Sequence, residues 1–134
     1  MKAIKKEVII EQEMIQSCLL EKRILSQTNH QFMVGTKYVF QDDAKIYFIM
    51  KFVRGGNLFQ LLCKFNHIPE SNAKFYAVQI ITAFGHLHKC NIVYRDLKLE
   101  NVMLGEDGYI SLIDFGMARY LEKGKLSKSI CGTK

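Results

Sequence analysis

Proline occurs once, at Pro69, and no stretch is rich in proline, serine or glycine, so no linker or low-complexity segment divides the 134 residues. No period of 20 to 50 residues recurs, which excludes a solenoid or a propeller. Apolar runs such as Ile46 to Met50 fall far short of the roughly 18 residues that a spanning helix needs. The basic start, Met1 to Lys6, is followed only by Val8 to Ile10 before Glu11 and Glu13, too short for a secretory apolar core, and a cytoplasmic location is expected. Cys18, Cys63, Cys90 and Cys131 form no C-x-x-C pair, so neither a zinc cage nor a redox pair is spelled out and free thiols are expected. Acidic residues are the scarcer charge, 13 against 19 basic ones, for a net +6. Five of the bases lie between Arg119 and Lys134, where the only acid is Glu122. Without interleaved aromatics this stretch reads as a solvated, phosphate-attracting loop and not as a nucleic-acid surface.

What is present is a globular composition, 49% hydrophobic and 24% charged. The chain reads as one domain or part of one. A helix is expected from about Glu11 to Leu25, with Met14, Cys18 and Leu25 on one stripe. Glu21 falls on that stripe, and a carboxylate facing a core is costly unless a cation pairs with it. Glu21 therefore either finds a cationic partner on a neighbouring element or merely flanks the stripe in water. Two antiparallel strands are expected over Phe32 to Phe40 and Lys45 to Val53, with a turn at Gln41-Asp42-Asp43. Arg54-Gly55-Gly56-Asn57 ends the second, and a short helix around Leu58 to Lys64 follows. After Pro69, Ala73, Tyr76, Ala77, Ile80, Phe84, Leu87 and His88 mark the longest helix, ending near Asn91. Val102 to Leu104 and Tyr109 to Leu112 flank Gly105-Glu106-Asp107-Gly108, the signature of a hairpin.

That hairpin gathers chemistry. Asp96 and Asn101 precede its first strand and Asp114 follows its second, so Asn101 and Asp114 should be neighbours although thirteen positions separate them. Converging oxygen ligands of this kind suit Mg²⁺, which takes one or two protein groups and fills the rest with water and phosphate. Lys98 adds a cation beside Asp96, a candidate base. Taken singly, each Asp or Asn would be an ordinary turn residue, and it is the joint spacing that points to a site.

Tyr94-Arg95-Asp96-Leu97-Lys98-Leu99-Glu100-Asn101 resembles the catalytic loop of a protein kinase, and Asp114-Phe115-Gly116, eighteen residues after Asp96, resembles its metal-binding motif. Tyr94, Gly55-Gly56 and Cys131-Gly132-Thr133 are similar to the AGC group of serine/threonine kinases, the cyclic-nucleotide-dependent and protein kinase C types. The resemblance runs from residue 1 to residue 133 and implies an α+β, kinase-like fold with ATP and Mg²⁺ as cofactors. Asp96 would orient the substrate hydroxyl and accept its proton, Lys98 would neutralise the transferring phosphoryl group, and Asn101 and Asp114 would hold Mg²⁺. Met50 would stand at the gate of the adenine site, the backbone of Lys51 and Val53 would meet the adenine edge, and Met103 would lie under the ring. Ser129 would carry an activating phosphate, added by an upstream kinase and paired with Arg95. Glu100 and Thr133 would serve a protein substrate bearing Ser or Thr near basic residues.

Lys2-Ala3-Ile4-Lys5-Lys6-Glu7-Val8-Ile9-Ile10 resembles the protein kinase C run in which the ATP lysine comes first, which selects Lys2, nineteen residues before Glu21. A bare V-A-I-K pattern instead lands on Lys5. The resemblance further implies residues 1–50 as the remainder of a small lobe, 51–57 as a hinge and 58–134 as the first half of a large lobe. A Gly-rich loop and an A-P-E motif do not occur in the 134 residues, so no measurable kinase activity, and at most weak binding of Mg²⁺ and ATP, is expected of this segment on its own. Thr36 stands where the family has an aliphatic residue, Lys51 and Asn57 where it has acids, and Pro69 where it has a capping Ser or Thr. The competing expectation is a kinase-like binding module that transfers nothing.

Overall fold

The computed structural model describes residues 1–121. The chain opens with strand β1 (Lys2–Lys5) and helices α1 (Lys6–Glu11) and α2 (Ile15–Gln27), then strands β2 (Thr36–Gln41) and β3 (Lys45–Met50). Helices α3 (Leu58–Phe65) and α4 (Glu70–Lys89) follow, and then the short strands β4 (Ile92–Val93), β5 (Val102–Leu104), β6 (Ile110–Leu112) and β7 (Arg119–Tyr120). The first sheet is antiparallel in the order β1-β3-β2, with α2 packed on β2. Two-stranded pairs β5-β6 and β4-β7 sit beside α3 and α4. The architecture is the expected mixed α+β one.

Several boundaries differ from the sequence reading. The helix expected from Glu11 is two helices, because Glu13 adopts a left-handed φ of 52° and breaks the run. Met14 is left 40% exposed, so the buried stripe of α2 starts at Cys18 and continues through Glu21, Ile24 and Leu25. Phe32 to Val34 do not begin β2. They pair instead with β6, through Leu112 N–H to Phe32 O and Val34 N–H to Leu112 O, both 2.9 Å. An apolar run alone cannot say which neighbour it will pair with. Thr36, at the start of β2, buries its hydroxyl with no partner among the described residues, a cost of about 1–3 kcal/mol.

Helix α3 carries a complete capping box: Asn57 accepts from Gln60 N–H at 2.8 Å and Gln60 accepts from Asn57 N–H at 3.0 Å. Helix α4 starts directly after Pro69, whose fixed φ suits a helix start, and Asn91 turns the chain beyond its end with φ 56°. Its buried residues are Gln79, Ala83 and Leu87, with Tyr76, Ile80 and Phe84 half-buried, whereas Ala73, Ala77 and His88 are exposed. Gln79 is the unexpected member. Its amide donates to Phe75 O and accepts Ile110 N–H at 2.9 Å, anchoring α4 to β6. Ile24, Phe48, Leu87, Ile92, Val102, Ile110, Leu112 and Phe115 form the fully buried centre.

The segment between β3 and α3 is tied to the β5-β6 hairpin by Gly55 N–H to Leu104 O and Leu104 N–H to Gly56 O, both 2.8 Å. A Cβ on Gly55 would lie 2.5 Å from Leu104 O, whereas one on Gly85, in α4, would meet nothing within 4 Å. Gly55→Ala is therefore expected to cost about 1–3 kcal/mol, because backbone must move. Gly85→Ala should stabilise by about 0.5–1 kcal/mol through reduced unfolded-state freedom. Denaturant midpoints of the two variants check this, and equal shifts would contradict the close approach.

Candidate active site

The partner that Glu21 required is Lys2. Strand β1 places Lys2 opposite Phe48 of β3, and α2 turns Glu21 inward to 3% exposure. Lys2 Nζ lies 2.7 Å from Glu21 Oε1 and 3.1 Å from Asp114 Oδ1. Partial burial works against the ammonium, but Glu21 and then Asp114 outweigh it and hold the Lys2 pKa above the ordinary lysine value. Glu21 is thus no solvated flank of its helix. Lys5 is exposed and stands opposite Lys45.

The β5-β6 register, Val102 opposite Leu112, brings Ile113 N–H to Asn101 O at 3.0 Å, so Asn101 and the residue before Asp114 are adjacent as the hairpin demanded. Asn101 Nδ2 donates to Asp96 Oδ2 and to Asp96 O, both at 2.9 Å, and Lys98 Nζ lies 2.9 Å from the same carboxylate oxygen. The hydrogen bond to Asp96 raises the Lys98 pKa. Asp96 and Asn101 are buried, and Glu100 is exposed. Arg95 and Asp114 both hold left-handed φ angles, 67° and 57°, a local strain that persists only where the surroundings fix it. Arg95 Nε donates to Met117 O at 2.9 Å, and the buried Tyr94 hydroxyl donates to Ile113 O. Burial, then the charges of Asp114 and Asp96, push the Tyr94 phenol far above its ordinary value, so it remains a donor.

A cavity of about 320 Å³ opens beside Lys2, Glu21 and Asp114, whereas Asp96, Lys98 and Asn101 are not part of its lining. Lys2, Glu21, Met50, Lys51, Val53, Met103 and Asp114 all line it, bringing together residues that the sequence spreads over more than a hundred positions. Met1, Val34, Phe52 and Ile113 complete the wall and escaped the sequence reading. Ile113 could have been found from its place beside Asp114, whereas nothing local marks Val34. A larger polar cavity, about 470 Å³, shares the 51–53 wall but holds none of Asp96, Asn101 and Asp114. Arg119 was also missed: its guanidinium donates to Ser17 Oγ at 2.7 Å and to Ala118 O, joining α2 to the segment after Asp114. Ser129 and Thr133 lie outside the described residues.

The donor set fits a hard cation shared with a phosphate. Asp114 Oδ1 accepts Lys2 and Gly116 N–H, while Oδ2 has no protein partner among the described residues. Asn101 uses its amide nitrogen on Asp96, so its oxygen is the atom that would face a cation. Among the described residues no three His, Cys, Asp or Glu side chains converge, so a cation here would rely on one or two side chains plus ligand oxygens, the habit of Mg²⁺.

Comparison with known proteins gives a consistent result. A family model described as protein kinase domain matches residues 1–134. The RAC serine/threonine-protein kinase of Drosophila melanogaster is 43% identical over 133 residues, 98% of this chain and 22% of its own length. Serine/threonine-protein kinase akt-1 of Caenorhabditis elegans is 41% identical over 98% of this chain and 25% of its own length. The RAC-beta serine/threonine-protein kinase of Homo sapiens is 40% identical over 99% and 28%. The chain spans about a quarter of the length of these curated relatives.

Removing the cation from this site strands a buried carboxylate. Lys2→Met should cost roughly 1–3 kcal/mol, below the 3–5 typical of a fully buried pair because Lys2 is about a third exposed. Lys5→Met should fall within about 0.5 kcal/mol of the parent. Parallel unfolding curves check the ranking, and the reverse order would contradict the pairing.

Proposed function

Because this chain belongs to the protein kinase domain family, we propose that the full-length protein transfers the γ-phosphoryl group of ATP to a serine or threonine hydroxyl of a protein substrate, as an AGC-type kinase does. The observation that carries this reading is the Asp96 carboxylate gripped by Lys98 and Asn101, one hydrogen bond away from the strand end that leads to Ile113 and Asp114 in the cavity wall. Asp96 orients the hydroxyl and accepts its proton as the hydroxyl oxygen bonds to phosphorus and the bond to the ADP oxygen breaks. Lys98 offsets charge on the moving group, and Lys2, fixed by Glu21, positions the other phosphates. Asn101 and Asp114 would hold Mg²⁺, which when bound neutralises phosphate charge.

Met50 would stand at the gate of the adenine site and Met103 under the ring, with the main chain of Lys51 and Val53 meeting the adenine edge. Residues 51–57 act as a hinge between the remainder of a small lobe, 1–50, and the first half of a large lobe. Ser129 takes an activating phosphate from an upstream kinase, with Arg95 as its cation, and Glu100 and Thr133 contact the substrate. Asn57, which stands where the family has an acid, instead caps α3, so Glu100 carries the preference for basic residues near the acceptor. Among the described residues no helix is long and apolar enough to cross a membrane, and the unpaired thiols Cys18, Cys63 and Cys90 support a cytoplasmic site of action.

Asp96→Asn in the full-length protein should lower phosphate transfer to a basic Ser-containing peptide by about 10²–10⁴-fold while Mg-ATP affinity stays within a few-fold, because this carboxylate acts in the transition state and does not hold the nucleotide. Radiolabel transfer and calorimetry measure the two separately. Equal transfer by parent and variant would remove Asp96 from the mechanism, and no transfer by the parent would favour the binding-module reading.

A further inference from the structure

Outside the cavity, two imidazoles face each other between the loop after α2 and helix α4. The rings of His30 and His86 lie 5.0 Å apart, tilted by 32°. His86 Nε2 is buried and has no hydrogen-bond partner among the described residues. His30 Nδ1 accepts the Phe32 N–H at 3.3 Å, so this nitrogen carries no proton. That acceptor role also argues against a metal on the other ring nitrogen, since a ligated neutral imidazole would have to carry its proton on Nδ1.

We propose that the His30–His86 pair is an acid-sensitive latch, which with neutral rings pins the loop after α2 to α4 and β6 and which protonation releases. A proton on His30 Nδ1 would set a donor against the Phe32 N–H and end that hydrogen bond. Charge on both rings would place two cations about 5 Å apart in a half-buried site. Burial first, and the charge of His86 second, hold the His30 pKa below the ordinary histidine value. Glu106 and Asp107 of the β5-β6 turn line a cavity together with Gln31, but Glu106 pairs with Arg54 and neither acid pairs with His30 or His86. On the His30 loop Asn29, Gln31 and Phe32 carry no charge, α4 presents His86, and the β5-β6 turn presents Tyr109, stacked on Phe32. Among the described residues no carboxylate forms an ion pair with either imidazole.

The unfolded chain binds the proton more readily than the folded one, so the latch is fully effective above about pH 6.5 and its contribution is lost as pH falls through the lowered His30 pKa. Its release reaches the site from both ends. Phe32 O and Val34 N–H hold Leu112, two residues before Asp114, and the same loop continues from α2, which carries Glu21. The device does not depend on the phosphoryl-transfer reading, because its readouts are structural.

The test uses the full-length protein with ¹³C-labelled histidine, the two resonances being assigned by His30→Gln and His86→Phe. Three results are expected. His30 titrates below about pH 6.5. Hydrogen-exchange protection of the Phe32 and Leu112 amides falls between about pH 7.5 and pH 5.5, by up to about tenfold per unit of His30 depression. His86→Phe, which keeps a ring but removes the second charge, raises the His30 pKa and blunts the loss of protection. A His30 that titrates at or above about 6.5 in the parent overturns the proposal whether or not a variant folds. So does protection that changes equally in parent and His86→Phe.

Discussion

Glu21 is turned into the interior by the same helical stripe that buries Cys18, Ile24 and Leu25, and a carboxylate there is tolerable only with a cation and good geometry. Lys2 is the cation, delivered from the edge strand of a different element. This one pair sets the distance between α2 and β1. Through the second contact of Lys2 with Asp114 it also sets how both approach the end of the β5-β6 hairpin. A pair that is strongly unfavourable to break and specific in its reach makes a good register pin. The cavity is the space that remains when these three elements are held together.

Around the pin, other polar contacts serve as struts. Arg119 links the chain after Asp114 to Ser17 on α2, Gln79 holds α4 to β6, and the Phe32–Val34 rungs bring the loop after α2 onto Leu112. Left-handed Arg95 and Asp114 are strained residues inside this frame, which is where such conformations persist. Asp96 is held by a lysine and an amide on one oxygen, so its side chain has little rotamer freedom left. Charge and shape are thus arranged before any ligand arrives, the condition under which positioning contributes most to phosphoryl transfer.

Much of this was legible from residue spacing. The hairpin turn Gly105 to Gly108 placed Asn101 near Asp114, and Glu21 on a core stripe announced a missing cation, because both arguments rest on local periodicity and on the cost of burying charge. Helix α4 was legible for the same reason, although its stripe was rotated: Gln79 was hidden by its polarity, and Ala73 and Ala77 looked buried because small apolar residues fit either face. What could not be read was pairing at a distance. Nothing in Phe32-Met33-Val34 distinguishes a rung on β6 from the start of β2, and Val34 as a cavity wall and Arg119 as a strut follow from that unread packing. The break at Glu13 was equally invisible, since glutamate is a good helix former and its left-handed φ is imposed by the turn into α2.

The central claim is that Lys2 and Glu21 act as a unit that shapes the cavity for phosphates. A double-mutant cycle over Lys2→Met and Glu21→Gln, read as Mg-ATP affinity of the full-length protein by calorimetry, tests it most directly. The account predicts that the double variant loses less than the two single losses combined, with a coupling of about 1–3 kcal/mol. Losses that simply add would show that the two residues act independently and would contradict it.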